Sequence, residues 1–120
     1  MCIRDSHYDI DGKSLWSLVC PDDIGEFTRI LLKAPSSPHP VYNLGGPPCS
    51  LRDLADVVRS LIPDAHISFG EERGREELPW KVSCARAKED FGFSMLPLEE
   101  AVRIHINDAR RNAGLPPLGA

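Results

Sequence analysis

Val41-Tyr42-Asn43-Leu44-Gly45-Gly46-Pro47-Pro48-Cys49-Ser50-Leu51-Arg52-Asp53 is the stretch on which the fold turns. Its first four residues include β-branched, aromatic and aliphatic side chains and run into a glycine pair, which reads as a strand entering a tight turn. Ser50 stands three positions before Asp53, the spacing of a capping box with the shorter acid in the reciprocal place. Leu51, Leu54, Ala55, Val58, Leu61 and Ile62 follow on one face of a helix that Pro63 closes. A strand that turns into a capped amphipathic helix is one β-α unit.

The same pattern extends outward in both directions. Leu15-Trp16-Ser17-Leu18-Val19 reads as a short buried strand. Asp22 and Asp23 offer capping oxygens to the free amides of a first turn. Ile24, Phe27, Thr28 and Leu31 recur at helical spacing, predicting a helix over 23–33 that ends before the prolines at 35, 38 and 40. Downstream, Ala65 to Phe69 alternates as a strand, with Ile67 and Phe69 on one face and His66 and Ser68 on the other. A charged irregular stretch from Glu71 to Glu77 surrounds Arg73-Gly74-Arg75. Ser83 to Phe91 predicts a short helix ended by Gly92 as a left-handed cap. A last helix takes Pro97 in its first turn and lines one face with Leu98, Ala101, Val102, His105, Ala109 and Ala113, before Gly114 and Pro116 end it. Strands alternating with helices predict an α/β chain with parallel units. Three strands are few for a parallel sheet, which needs helices on both faces, so exposed apolar surface is expected.

Composition narrows the classes. Of 120 residues, 42% are hydrophobic and 27% charged, in the range of a soluble globular chain. Fourteen Lys and Arg against 18 Asp and Glu leave a net charge of -4, which does not suit a nucleic-acid binder. The longest apolar runs are too short to span a bilayer, and no signal-peptide core opens the chain; a cytoplasmic location is the default expectation. Cys2, Cys20, Cys49 and Cys84 form no C-x-x-C pair and read as free thiols. Neither they nor His7, His39, His66 and His105 have metal-ligand spacing. Met1-Cys2-Ile3-Arg4-Asp5-Ser6 has neither periodicity nor capping logic and resembles the translation of a transposon-end sequencing adapter. Residues 1–6 are therefore set aside from the fold reading, and a missing N-terminal part is expected.

Three blocks in order resemble the extended short-chain dehydrogenases, the NAD-dependent epimerase/dehydratase family. Leu18-Val19-Cys20-Pro21-Asp22-Asp23-Ile24-Gly25 is similar to that family's hydrophobic-H-V-x-D-hydrophobic-A segment. Val41 to Gly46 with the capped helix at Ser50-Leu51 is the second block. The third runs from Arg73 through Ser83-Cys84-Ala85-Arg86-Ala87-Lys88 and Phe91-Gly92-Phe93 to Pro97-Leu98-Glu99-Glu100. The resemblance covers residues 11 to 112. It implies the C-terminal portion of a Rossmann-type parallel sheet plus the small substrate-binding subdomain, incomplete on its own, with residues 7–120 as the substrate-side segment.

The resemblance further implies NAD or NADP in a full-length parent, bound by a missing N-terminal Rossmann half that also carries the Gly-rich turn and a Tyr-x-x-x-Lys pair. No G-x-G-x-x-G occurs here, and Gly45-Gly46 alone reads as a β-α turn. No catalytic, cofactor-binding or metal-binding residue is therefore assigned to this segment, and it is expected to be inactive alone. The substrate-binding candidates are Arg73, with Arg75 behind it, and Asn43. Arg73 matches the family arginine that holds a substrate diphosphate, for which a guanidinium fork is suited; otherwise it is a solvated arginine among glutamates. Asn43 matches a strand-end asparagine, read as serving backbone bonds at the turn. Asp23 reads as a helix cap, and Trp80 as core or a stacking wall.

Departures bear on the substrate. Trp16 stands where nucleotide-sugar epimerases often carry a second phosphate-binding arginine, Cys20 replaces a histidine, and Ser83 replaces an aspartate. The expected substrate is a sugar nucleotide. The alternatives are a small hydroxy compound reduced or oxidised by a threonine-dehydrogenase-like enzyme, and a non-catalytic α/β interaction module. A homodimer through upstream helices is implied for the parent.

Overall fold

Two pairs of strands organise the chain, whose computed structural model describes residues 5–73 and 81–119. Strand β1 (Asp5–Ile10) lies parallel to β4 (His66–Glu72), with Asp5 opposite His66, Ser6 opposite Ile67 and Tyr8 opposite Phe69. The Tyr8 and Phe69 rings stack at 5.5 Å, and the Arg52 guanidinium covers Phe69 at 4.9 Å from its centroid. The register shifts between Tyr8 and Ile10. There Gly70 lies against the Asp9 carbonyl so closely that any side chain would collide with it. The second pair is antiparallel: β2 (Leu15–Ser17) against β3 (Pro48–Ser50), with Trp16 opposite Cys49.

Helix α1 (Pro21–Lys33) starts with proline where a missing amide costs nothing, places Asp22 and Asp23 at the positive end of its dipole, and ends at Ala34 before Pro35. The capping box forms as expected at α2 (Leu51–Leu61): Ser50 Oγ accepts from the Asp53 amide at 3.1 Å, and Asp53 Oδ2 from the Ser50 amide at 2.8 Å. Helix α3 (Ala85–Phe91) stops at Gly92 with φ of 65°. Helix α4 (Leu98–Asn112) ends before Gly114, whose φ is 70°.

Several expectations are corrected. Val41–Leu44 belongs to no strand; residues 41–47 carry no regular element, and the strand begins beyond the glycine pair at Pro48. Strand-forming side chains make a strand only when a neighbour takes the backbone bonds. Among the described residues no backbone group of 41–44 bonds to another backbone group. The run at 15–19 is a strand only to Ser17 and is not buried, since Leu15 is 42% exposed. Strand β1 was not anticipated, and its first residues, Asp5 and Ser6, belong to the stretch set aside as adapter-like. Pro97 is the residue before α4 rather than part of its first turn, and the buried stripe of α4 is Leu98, Val102 and Ile106, with His105 exposed.

Packing divides into two cores. One gathers Val58, Ala65, Val102 and Ile106, from α2, α4 and the entry to β4. The other gathers Phe27, Ala87 and Phe93 with Tyr42, Phe91 and Met95, from α1, α3 and connecting segments. The molecule is a slab, 48 × 37 × 19 Å, with a radius of gyration of 16.6 Å, against about 13.6 Å for a compact chain of this length. Its accessible surface of 8326 Å² exceeds by about 1,900 Å² that of a compact monomer of equal mass.

Candidate functional site

The glycine turn is the hub of the family-like blocks, and the structure shows why it needs two glycines. A Cβ on Gly46 would strike the Leu18 carbonyl, and one on Gly45 would strike Val82 and come within 2.6 Å of Ser17 Oγ. Ser17 Oγ donates to the Gly46 carbonyl at 2.9 Å. Cys84 closes the other side: its thiol donates to the Gly45 carbonyl and its sulfur accepts from the Gly45 amide, both at 3.1 Å. The turn is thus filled by its own chain, and its glycines admit neighbouring protein rather than a pyrophosphate. These residues do not fit a dinucleotide, and no step of cofactor chemistry is assigned to them.

Beside the turn lies a shallow cavity of about 350 Å³, bordered by Gly45, Gly46, Lys81, Lys88 and Ser94. A larger open groove of about 770 Å³ runs along α1 past Asp22, Asp23, Glu26, Gly92 and Ser94. Asp23 is 5% exposed, and its carboxylate accepts from the Leu96 amide at 3.2 and 3.3 Å. Burial pushes its pKa up; the Leu96 bond opposes this, and Asp22 and Glu100 add to the rise. Asp23 is therefore a strut holding the segment before α4, which corrects the capping role expected for it. Cys49 is 4% exposed, and burial raises its pKa, favouring the thiol over the thiolate. Cys20, Cys49 and Cys84 are all free thiols.

The sequence candidates fall on separate elements. Arg73 stands exposed immediately after β4. Asn43 is exposed ahead of the glycine turn, and among the described residues its side chain makes no hydrogen bond; the turn is held by Ser17 and Cys84 instead. Arg75 and Trp80 lie outside the described residues. Trp16 sits half-buried in β2, with an enclosed indole N–H that has no partner among the described residues.

A polar cluster that the sequence did not disclose ties the proline-rich connection to α3. Asp90 Oδ2 lies 2.7 Å from His39 Nδ1 and accepts from the Tyr42 hydroxyl at 2.7 Å, while Tyr42 accepts from the His39 amide at 3.2 Å. The His39 and Tyr42 bonds hold the Asp90 carboxyl below its usual range, and burial holds the Tyr42 phenol above its own. Its only sequence trace is the His39-to-Tyr42 spacing; Asp90 is 48 residues away from Tyr42. Among the described residues no group of His, Cys, Asp and Glu side chains could hold a metal ion, and no helix is long and apolar enough to cross a membrane.

No protein-family model and no curated protein matches the sequence. Solved structures do. L-threonine 3-dehydrogenase from Trypanosoma brucei superposes with a TM-score of 0.76 over 97% of this chain and 39% of its own, at 14% identity. The NAD-dependent NDP-hexosamine 5,6-dehydratase TunA, of tunicamycin biosynthesis, superposes at 0.63 over 84% of this chain and 34% of its own, at 20% identity. The chain shares the fold of a part of each of these two enzymes. It spans little more than a third of either enzyme, and at such identities the likeness is one of fold. Among the described residues β1 and β4 make the parallel pairing expected, and β2 and β3 pair antiparallel.

Proposed function

We propose that the chain is the substrate-side segment of an NAD(P)-dependent oxidoreductase whose substrate is a small hydroxy compound. The observation that carries this reading is the superposition on a threonine dehydrogenase across 97% of the chain. Trp16 supports it, since an enclosed indole in the position of a second phosphate clamp suits a substrate without a diphosphate. In this reading the nicotinamide, held elsewhere, exchanges hydride with the substrate carbon. This segment's residues bind and orient: Arg73 receives an oxyanion of the substrate through its guanidinium fork. A sugar-nucleotide substrate is the second reading, favoured by the family match of Arg73 and by the fit to the hexosamine dehydratase.

Expression of the gene at its full reading length, followed by nicotinamide absorbance with β-hydroxy amino acids, other small hydroxy acids and nucleoside-diphosphate sugars, tests both. Turnover of hydroxy amino acids alone upholds the first reading; turnover of sugar nucleotides alone replaces it with the second. In that enzyme Arg73→Ala is expected to raise KM about 10- to 100-fold, the loss of one charge-assisted bond pair. An unchanged KM would place Arg73 on the solvated surface.

A further inference from the structure

Helix α1 turns more apolar surface outward than its own core uses. Asp23 and Phe27 are buried and Ile30 and Leu31 half-buried, which fixes the inner side of the helix. On its outer side Ile24 is 50% exposed and Leu32 82%, with Thr28 exposed between them at four-residue spacing. The Thr28 hydroxyl already donates to the Ile24 carbonyl at 2.7 Å, so its methyl is what remains for a neighbour. Gly25 lies beside this stripe in the helix interior, where glycine costs stability relative to alanine. Among the described residues a Cβ there would meet nothing within 4 Å, so the chain's own packing does not call for a glycine. Pro21, Ile24, Gly25 and Thr28 stand at i, i+3, i+4 and i+7, the four corners of a hole that takes one side chain of a facing helix.

The charges of α1 say which helix fits. Along the flank beside the stripe run Asp22, Glu26, Arg29 and Lys33, all exposed, with acid toward the N-terminus and base toward the C-terminus. A second α1 laid antiparallel about a two-fold axis at Thr28 meets this order in reverse. Leu32 of each copy then enters the hole around Ile24 and Gly25 of the other. Asp22 lies across from the partner's Lys33, and Glu26 from the partner's Arg29, so opposite charges flank the apolar seam. The helix dipoles also run opposed. A parallel pairing would set like charges side by side, and a helix of other sequence would not match the order. Each α1 has 13 residues, about 20 Å of length. The contact is therefore small, and the association reversible and set by concentration.

We propose that the outer face of α1 is a self-association surface, on which two copies of this chain pair through antiparallel α1 helices. It is independent of the oxidoreductase reading and lies apart from the upstream helices implied for a homodimer of the parent. Sedimentation equilibrium on the 120-residue chain should show a monomer–dimer equilibrium as concentration rises. Leu32→Glu, at a site already 82% exposed, should weaken that equilibrium at least ~10-fold with circular dichroism unchanged. Asp22→Lys alone and Lys33→Asp alone should each weaken it by about tenfold at low salt, since each sets like charges across the seam. An equimolar mixture of these two variants should associate as the native chain does, because every facing pair then holds opposite charges again. A chain that stays monomeric at every concentration overturns the proposal. Association that Leu32→Glu leaves unchanged puts the contact on another surface and overturns it too. A mixture no tighter than its components shows that the charge order takes no part, with the same result. In the protein expressed from the full reading length of the gene, loss of association in Leu32→Glu supports the proposal. Association there that Leu32→Glu leaves intact means that another part of the protein covers α1, and defeats it.

Discussion

The two cores of this chain are built by different means. Around Ile106 the partners are aliphatic side chains from α2, β4 and α4, and the backbone between them is bonded in helices or in the β1–β4 ladder. Around Phe27 the partners are aromatic rings with centroids 5.0 to 5.9 Å away, and much of the chain between them is irregular. Side-chain bonds stand in for ladders there: Asp90 gathers His39 and Tyr42, Asp23 holds Leu96, and Cys84 holds Gly45. The first core's backbone pairs with itself; the second is knit by side chains.

The sharpest way to break the comparison is to empty each core in turn. Phe27→Ala should cost about 3–5 kcal/mol, and Ile106→Ala about 2–5 kcal/mol, in urea titrations. Phe27→Ala should abolish exchange protection in α1 and α3 while β1 and β4 keep theirs, and Ile106→Ala should do the reverse. Equal loss of protection everywhere in both variants would show one cooperative unit and erase the distinction. A smaller effect is expected at Asp23. Asp23→Ala leaves the Leu96 amide without its acceptor, at about 1–3 kcal/mol, whereas Asp23→Asn keeps an acceptor and should cost less at pH 7.

The smallest effects concern pH, and the two carboxylates of the aromatic core should respond with opposite sign. Asp90 is held below its ordinary value, so its contribution is complete above about pH 4, the ordinary range, and is lost as pH falls through its folded pKa. Asp23 is raised, so its protonation favours the fold below the ordinary range, and that benefit fades as pH rises through its folded pKa. The His39 amide, which donates to the Tyr42 hydroxyl, should therefore lose exchange protection between pH 6 and pH 3 in the native chain. Asp90→Asn, loosened already at pH 6, should show no such trend.

How much was legible in the sequence follows the same division. The Ser50–Asp53 box, the stripe of α2 and the Gly92 stop are local signals, written within a few residues of the bonds they make, and all appear in the structure. Val41–Leu44 was read as a strand because its side chains say so. In the structure no backbone group pairs with it among the described residues, and side-chain pattern alone does not make a strand. The α4 face was drawn through His105 because helical spacing alone does not choose between adjacent stripes; Ile106, 2% exposed, is where α2 meets it. Asp23 looked like a cap because the residue that occupies its carboxylate, Leu96, is 73 positions away. Of the candidate site, β4 runs on to Glu72 through the charged residues that read as irregular, so Arg73 follows it directly; the closure of the glycine turn by Leu18 and Val82 was not legible either, since both contacts depend on segments remote in sequence.

The slab is 19 Å through its thinnest dimension, about two layers of secondary structure. A molecule resting on either broad face is wet on its outer side, and a transferring hydride or proton needs the opposite condition, a pocket from which water is expelled. On the oxidoreductase reading proposed above, the segment furnishes a floor, and a dry pocket needs a second body to close over it.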